Sequence, residues 1–89
     1  MFGRNSTINL GPETDGEIIA KVLKAIKSVG GVKVEERSCQ VGGQDISRTE
    51  FRIEKSIVIL EIETYEGVTI RGSKSVINKV MDRFKSSDK

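Results

Sequence analysis

The side chains in this sequence that could support chemistry are its carboxylates, its basic groups and one cysteine, Cys39. The sequence contains no histidine, which excludes the Ser-His-Asp triad, the Cys-His nucleophile and almost every common zinc site. Two closely spaced carboxylate pairs, Glu35 with Glu36 and Glu61 with Glu63, fall in strand-like segments outside any recognisable cleft motif. We therefore predict no catalytic, cofactor-binding or metal-binding residues, and a protein that is not an enzyme.

The segment 67–75 superficially resembles a phosphate-binding loop. Its spacing differs by one residue from that of the phosphate-loop motif, and the residues between its two glycines alternate as in a strand. What remains is a helix N-terminus at Gly72, Ser73 and Lys74, where free backbone amides can bind an anion. The pattern favours a simpler interpretation, in which Ser73 is the N-cap of the following helix.

Length and composition indicate one small globular domain. The chain has 89 residues, of which 36% are hydrophobic and 31% charged, with a formal net charge of +2. A charge this small neither requires nor excludes a nucleic-acid partner. A single cysteine cannot form an internal disulfide, and no apolar stretch approaches the ~20 residues that span a bilayer. Because the first residues also lack the apolar core of a signal peptide, we expect a cytoplasmic protein without membrane contact.

Two amphipathic helices are predicted. The first begins at a capping box formed by Thr14 and Glu17 and ends at Gly30 and Gly31. Its apolar stripe consists of Ile18, Ile19, Val22, Leu23 and Ile26, and the stripe of the second helix consists of Val76, Ile77, Val80, Met81 and Phe84. A helix with a single apolar stripe buries one side, so both helices are expected on the same face of a sheet.

Between the helices lie four strand-like segments, at about 32–38, 46–54, 57–63 and 68–71. The turns that join them are short, which favours pairing between successive strands. The sequence therefore predicts an α+β two-layer sandwich: a helix, a four-stranded antiparallel meander and a second helix, with both helices on one sheet face.

The domain is expected to span residues 14–86. Residues 1–13 are interpreted as a flexible or edge-strand segment, with the candidate strand at 7–10, and residues 87–89 as a disordered tail. The alternation of the first meander strand is unclear near Glu36. The predicted core consists of Ile18, Val22, Leu23, Ile26, Val34, Phe51, Ile53, Val58, Leu60, Ile62, Val68, Ile70, Ile77, Val80, Met81 and Phe84.

The run 57–63 is the one strand-like segment in which apolar residues occupy both alternating positions. Val58, Leu60 and Ile62 mark the helix-covered side, which places Ile57 and Ile59 on the opposite side, here called the open face. Apart from Thr69, the rest of the open face is charged: it is expected to carry Lys33, Glu35, Arg37, Arg48, Glu50, Arg52, Glu61, Glu63, Thr69 and Arg71.

Apolar residues surrounded by charge are typical of the centre and rim of a protein interface. Our leading hypothesis is a non-enzymatic interaction domain, a homodimer or a partner of another protein. Its interface would contain Ile57, Ile59, Ile46, Arg48, Arg52, Glu61 and Glu63, with the two arginines meeting the two glutamates across a two-fold axis. A solvated face with ion pairs between neighbouring strands is the plainer alternative.

The second hypothesis is a nucleic-acid accessory protein that contacts phosphates through Arg48, Arg52, Arg71 and Lys74. Four-stranded sheets that bind RNA stack bases on exposed aromatic side chains. Here strand alternation places Phe51 in the core, so the sheet offers no stacking platform. The interspersed glutamates also weaken the positive field, so nucleic acid is not the favoured partner.

Overall fold

The computed structural model describes residues 5–11, 16–63 and 67–86. Its elements follow the order β1 (Asn5–Gly11), α1 (Gly16–Ser28), β2 (Val32–Val41), β3 (Gln44–Ile53), β4 (Ser56–Glu63), β5 (Gly67–Ser73) and α2 (Lys74–Ser86). The fold class is α+β, as predicted. None of the described helices is long and apolar enough to cross a bilayer.

The sheet has five strands in the order β1-β5-β4-β3-β2, and every neighbouring pair is antiparallel. The predicted meander is therefore correct for β2 to β5, and β4 is the central strand. The hairpin between β2 and β3 turns at Gly42 and Gly43, whose φ angles of 55° and 81° lie in the left-handed region that glycine tolerates.

The prediction of a four-stranded sheet is wrong, because the N-terminal segment, interpreted from the sequence as flexible or as an edge strand with a candidate strand at 7–10, forms a fifth strand at the edge. In β1, Ile8 lies opposite Ile70 of β5, and Ile8 and Leu10 pack against the core. This pairing closes the edge of β5 and joins segments that are far apart in the sequence. Local alternation gives little information about such a long-range contact.

Both helices pack on one face of the sheet and share a single core with it, as predicted. The buried residues are Val22, Ala25, Ile26, Phe51, Ile53, Val58, Leu60, Val68, Ile70, Val76, Ile77 and Val80. Ile18, Ile62, Met81 and Phe84 are partly buried against this cluster. Two predicted core residues are wrong: Leu23 is 40% exposed and Val34 is 51% exposed.

A β-bulge explains the exposure of Val34 and the unclear alternation near Glu36. Lys33 lies opposite Phe51 and Glu35 lies opposite Glu50, so Val34 is the extra residue between two consecutive partners. The extra residue reverses the alternation of the strand. Lys33 therefore lies on the helix side and not on the open face, while Glu35 keeps its expected side.

Helix α1 ends in a Schellman motif. Gly31 N donates to Ile26 O at 2.9 Å, Gly30 N donates to Lys27 O at 3.0 Å, and Gly30 has a φ of 89°. The predicted stop at the two glycines is thus confirmed. Of the capping box predicted at the other end, Thr14 lies outside the described residues, and Glu17 lies in the first turn.

Candidate functional site

The open face is the sheet surface opposite the helices, and strand register gives its layout. Around the central strand, Ile57 lies opposite Arg52, and Ile59 lies between Glu50 of β3 and Arg71 of β5. One step further along, Glu61 lies between Arg48 and Thr69. Glu63 and Ile46 lie opposite each other at the far end. The structure thus places all seven predicted interface residues on β3 and β4, facing away from the helices.

The apolar part of this face is small. Ile57 is 45% exposed, and Ile59 and Ile46 are half-buried. Neither of the two described helices lies above these side chains, in contrast to Val58 and Leu60, which are almost fully buried on the other side of the same strand. Burial of Ile57 and Ile59 would require a surface from outside the described chain.

Three of the four arginines on this face form ion pairs with neighbouring glutamates. Arg71 Nη2 lies 3.2 Å from Glu61 Oε1, and Arg48 Nη2 lies 3.8 Å from Glu50 Oε1. At the edge of the sheet, Arg37 Nε lies 2.7 Å from Glu35 Oε2. Partly exposed pairs of this kind each contribute about 0.2–1 kcal/mol. The pairs of Arg48 and Arg71 place charges of both signs beside Ile59, since Glu50 and Arg71 lie opposite it.

The ion pairs lower the positive potential available to a phosphate backbone. Arg52 is the one open-face arginine that forms no ion pair with any described residue. The described aromatic side chains also lie away from this face: Phe51 is 8% exposed in the core, and the Phe84 ring lies 4.7 Å from Lys21 Nζ on the helix side. Tyr65 and Phe2 lie outside the described residues. This arrangement does not favour base stacking or phosphate binding.

A shallow depression of about 780 Å³ lies on the open face beside the β2 edge, and Ile46, Arg48, Glu50 and Glu61 form part of its wall. Cys39 also lines it and is exposed, opposite Ile46 in the sheet. Among the described residues, no group of three or more potential ligand side chains is placed to hold a metal ion.

Of the three predicted anion-binding residues at the start of α2, Gly72 and the hydroxyl group of Ser73 are buried. Gly72 is a buried residue of β5, and a Cβ atom there would lie 3.1 Å from Ile57 O and 3.2 Å from Val58 Cγ2. Ser73 precedes the helix, but its hydroxyl oxygen is buried and has no hydrogen-bond partner. The expected capping hydrogen bond is therefore absent. Lys74 is exposed in the first turn.

Sequence reasoning did not include Glu50 and Arg71 among the interface residues, although both flank Ile59. The signal that identifies them is register, since the residue directly opposite on each neighbouring strand shares the same face. No protein-family model, no curated protein and no solved structure matches this chain.

Proposed function

We propose that this chain is a non-enzymatic interaction domain that forms a homodimer through its open face. The observation that carries the proposal is the position of Ile57 and Ile59 on the central strand, uncovered by either helix and surrounded by charges held in ion pairs. This layout corresponds to the apolar centre and polar rim of a protein interface. The single cysteine is compatible with a cytoplasmic location.

Strand register suggests how two copies would meet. A two-fold axis parallel to β4 would place Ile57 and Ile59 against the same residues of the second copy. The rotation exchanges the β3 side with the β5 side, so Arg71 would face Glu50 of the second copy, and this contact would occur twice. Arg48 would approach Glu61 of the second copy in the next row.

In this arrangement Arg52 and Glu63 do not form the contact that the sequence led us to expect. Arg52 lies opposite Ile57 and Glu63 lies opposite Ile46, which puts them at opposite ends of the face. At about 3.4 Å per residue, they are roughly 20 Å apart along the strands. In the proposed dimer both therefore belong to the rim and do not pair with each other.

Association through the β2 edge is the competing mode. The whole of β2 is exposed, but it carries a bulge at Val34 and the charged residues Lys33, Glu35, Glu36 and Arg37. Bulges and charges on an edge strand are features that oppose strand addition. They favour the open face over the edge as the surface of association.

The footprint predicts a weak dimer. Five strands spaced by about 4.8 Å, each with about seven residues at about 3.4 Å per residue, give a flat area of roughly 570 Å². Stable complexes bury about 800 Å² per partner, so we expect this interface to belong to the smaller, transient class.

Sedimentation velocity over a concentration series tests the proposal, with Ile59→Lys as the disruptive variant and Leu23→Lys as its matched control. Leu23 is also exposed, but it lies on the helix side. We expect Ile59→Lys to remain folded and monomeric while Leu23→Lys dimerises like the wild type. Wild-type protein that stays monomeric at about 500 μM would refute the homodimer.

A charge exchange tests the proposed axis. Arg71→Glu and Glu50→Arg should each weaken the dimer because both copies then place like charges together. The double variant should restore much of the affinity, since the opposite charges meet again. If the loss of dimerisation free energy in the double variant equals the sum of the losses in the two single variants, the two-fold axis parallel to β4 is wrong.

A further inference from the structure

A second surface lies on the helix side, independent of the open face. A groove of about 600 Å³ runs between α1 and the strands β2 to β4. Its apolar wall and floor include Ile19 and Leu23 of α1, Phe51 of β3, and Leu60 and Ile62 of β4. Leu23, which faces solvent in this structure, is the exposed part of the α1 stripe.

The groove exists because two helices do not cover a five-stranded sheet. Ser47 and Thr49 of β3 are half-buried on the helix side, and β2 beside them is exposed along its whole length. Two strands leave an uncovered strip about 10 Å wide, since strands are about 4.8 Å apart. An α-helix with its side chains is about 10–12 Å in diameter. One further helix beside α1 would fit this strip.

The charges of the rim are mostly positive. Lys24 and Lys27 of α1 line the groove, are exposed, and form no ion pair with any described residue. Three residues apart, they lie on the same side of the helix. On the opposite wall, Lys33 Nζ lies 3.0 Å from Glu36 Oε1, so that pair contributes no net charge. The unpaired charge of the groove is therefore the two ammonium groups beside an apolar floor.

We propose that this groove binds an amphipathic helix of another protein, with an apolar stripe directed at Leu23 and Ile62 and acidic side chains directed at Lys24 and Lys27. Apolar anchors in a groove with complementary charges at its edge are the usual recognition mode for such helices. The proposal uses the helix side of the sheet only, so it stands or fails separately from the homodimer.

Two synthetic helical peptides test the inference. Each has about 13 residues, the length of α1 at ~20 Å, and the same leucine stripe, but one has glutamate flanks and the other has lysine flanks. Titration is followed by ¹H–¹⁵N NMR of the full chain. We expect the acidic peptide to shift the amides of Ile19, Leu23, Thr49 and Ile62 saturably and to bind roughly fivefold more tightly than the basic peptide.

Two variants distinguish binding in the groove from binding on the open face. Lys24→Glu combined with Lys27→Glu should invert the preference toward the basic peptide, while Ile59→Lys should leave the affinity for the acidic peptide unchanged. Equal affinities for both peptides, shifts centred on the open face or no saturable shifts would overturn the inference. Binding of phosphatidylglycerol vesicles without binding of either peptide would overturn it too, because the groove would then be a lipid site.

Discussion

Replacing Gly31 with alanine tests the packing that ends α1 and starts β2. A Cβ atom at this position would lie 2.7 Å from the backbone oxygen of Ile26 and closer still to Ile26 Cγ2. The side-chain overlap requires a rotation of Ile26, which is 1% exposed in the core. The overlap with the backbone oxygen cannot be relieved in that way, so the chain itself must move.

The expected cost has two sources. Movement of the chain weakens the 2.9 Å hydrogen bond from Gly31 N to Ile26 O, and a typical hydrogen bond of this kind contributes about 0.5–1.5 kcal/mol. Overpacking a filled core adds about 1–3 kcal/mol. The sum is a loss of about 1.5–4.5 kcal/mol in the free energy of unfolding. For a domain of this size, 1 kcal/mol corresponds to about 4–8 °C, so Tm should fall by at least ~6 °C.

Urea and thermal unfolding followed by far-ultraviolet circular dichroism measure the loss. Protein concentration must be the same for all variants, because dimerisation would add concentration-dependent stability. The control is Gly16→Ala: among the described residues, a Cβ atom there meets no atom within 4 Å beyond its chain neighbours and the backbone of its own helix, so we expect a change within ~1 kcal/mol. If the free energy of unfolding of Gly31→Ala lies within ~0.5 kcal/mol of the wild-type value, the described close approach of Gly31 to Ile26 is wrong.

Of three further predictions, two concern the β5–α2 junction and one concerns the turn at Glu54. Gly72→Ala should destabilise the fold by about 1–3 kcal/mol because the added methyl group meets Ile57 O and Val58 Cγ2. Ser73→Ala should change the free energy of unfolding by less than ~0.5 kcal/mol. A loss near 1 kcal/mol, measured by urea unfolding, would instead indicate that Ser73 caps the helix. Lys79 donates to Glu54 at 2.8 Å, and this hydrogen bond, with the positive charge of Lys79, lowers the pKa of the Glu54 carboxyl below its ordinary value of 4.5. Because its pKa is lowered, the ionised Glu54 carboxylate stabilises the fold above pH 4.5, and this stabilisation is lost as the pH falls through the lowered pKa. The difference in urea midpoint between the wild type and Glu54→Gln should therefore disappear in acid. A difference that is independent of pH would contradict this reasoning.

Local sequence patterns determined much of this fold. The stripes of the two helices, the glycines after α1 and the alternation of β3 and β4 each depend on residues close together in the chain. For this reason the α+β class, the meander and the outward direction of Ile57 and Ile59 could be predicted from the sequence. Most of the predicted core is buried for the same reason.

Only the tertiary structure decided which surfaces are covered. The pairing of β1 with β5 depends on a contact between distant segments, and the bulge at Val34 depends on the register imposed by β3. Leu23 belongs to a regular helical stripe, yet it is exposed because no described element packs against that side of α1. Periodicity specifies the direction of a side chain along its own element, whereas burial depends on what lies opposite. That difference is why the sequence could predict the isoleucines of the open face, while the groove beside α1 became visible only in three dimensions.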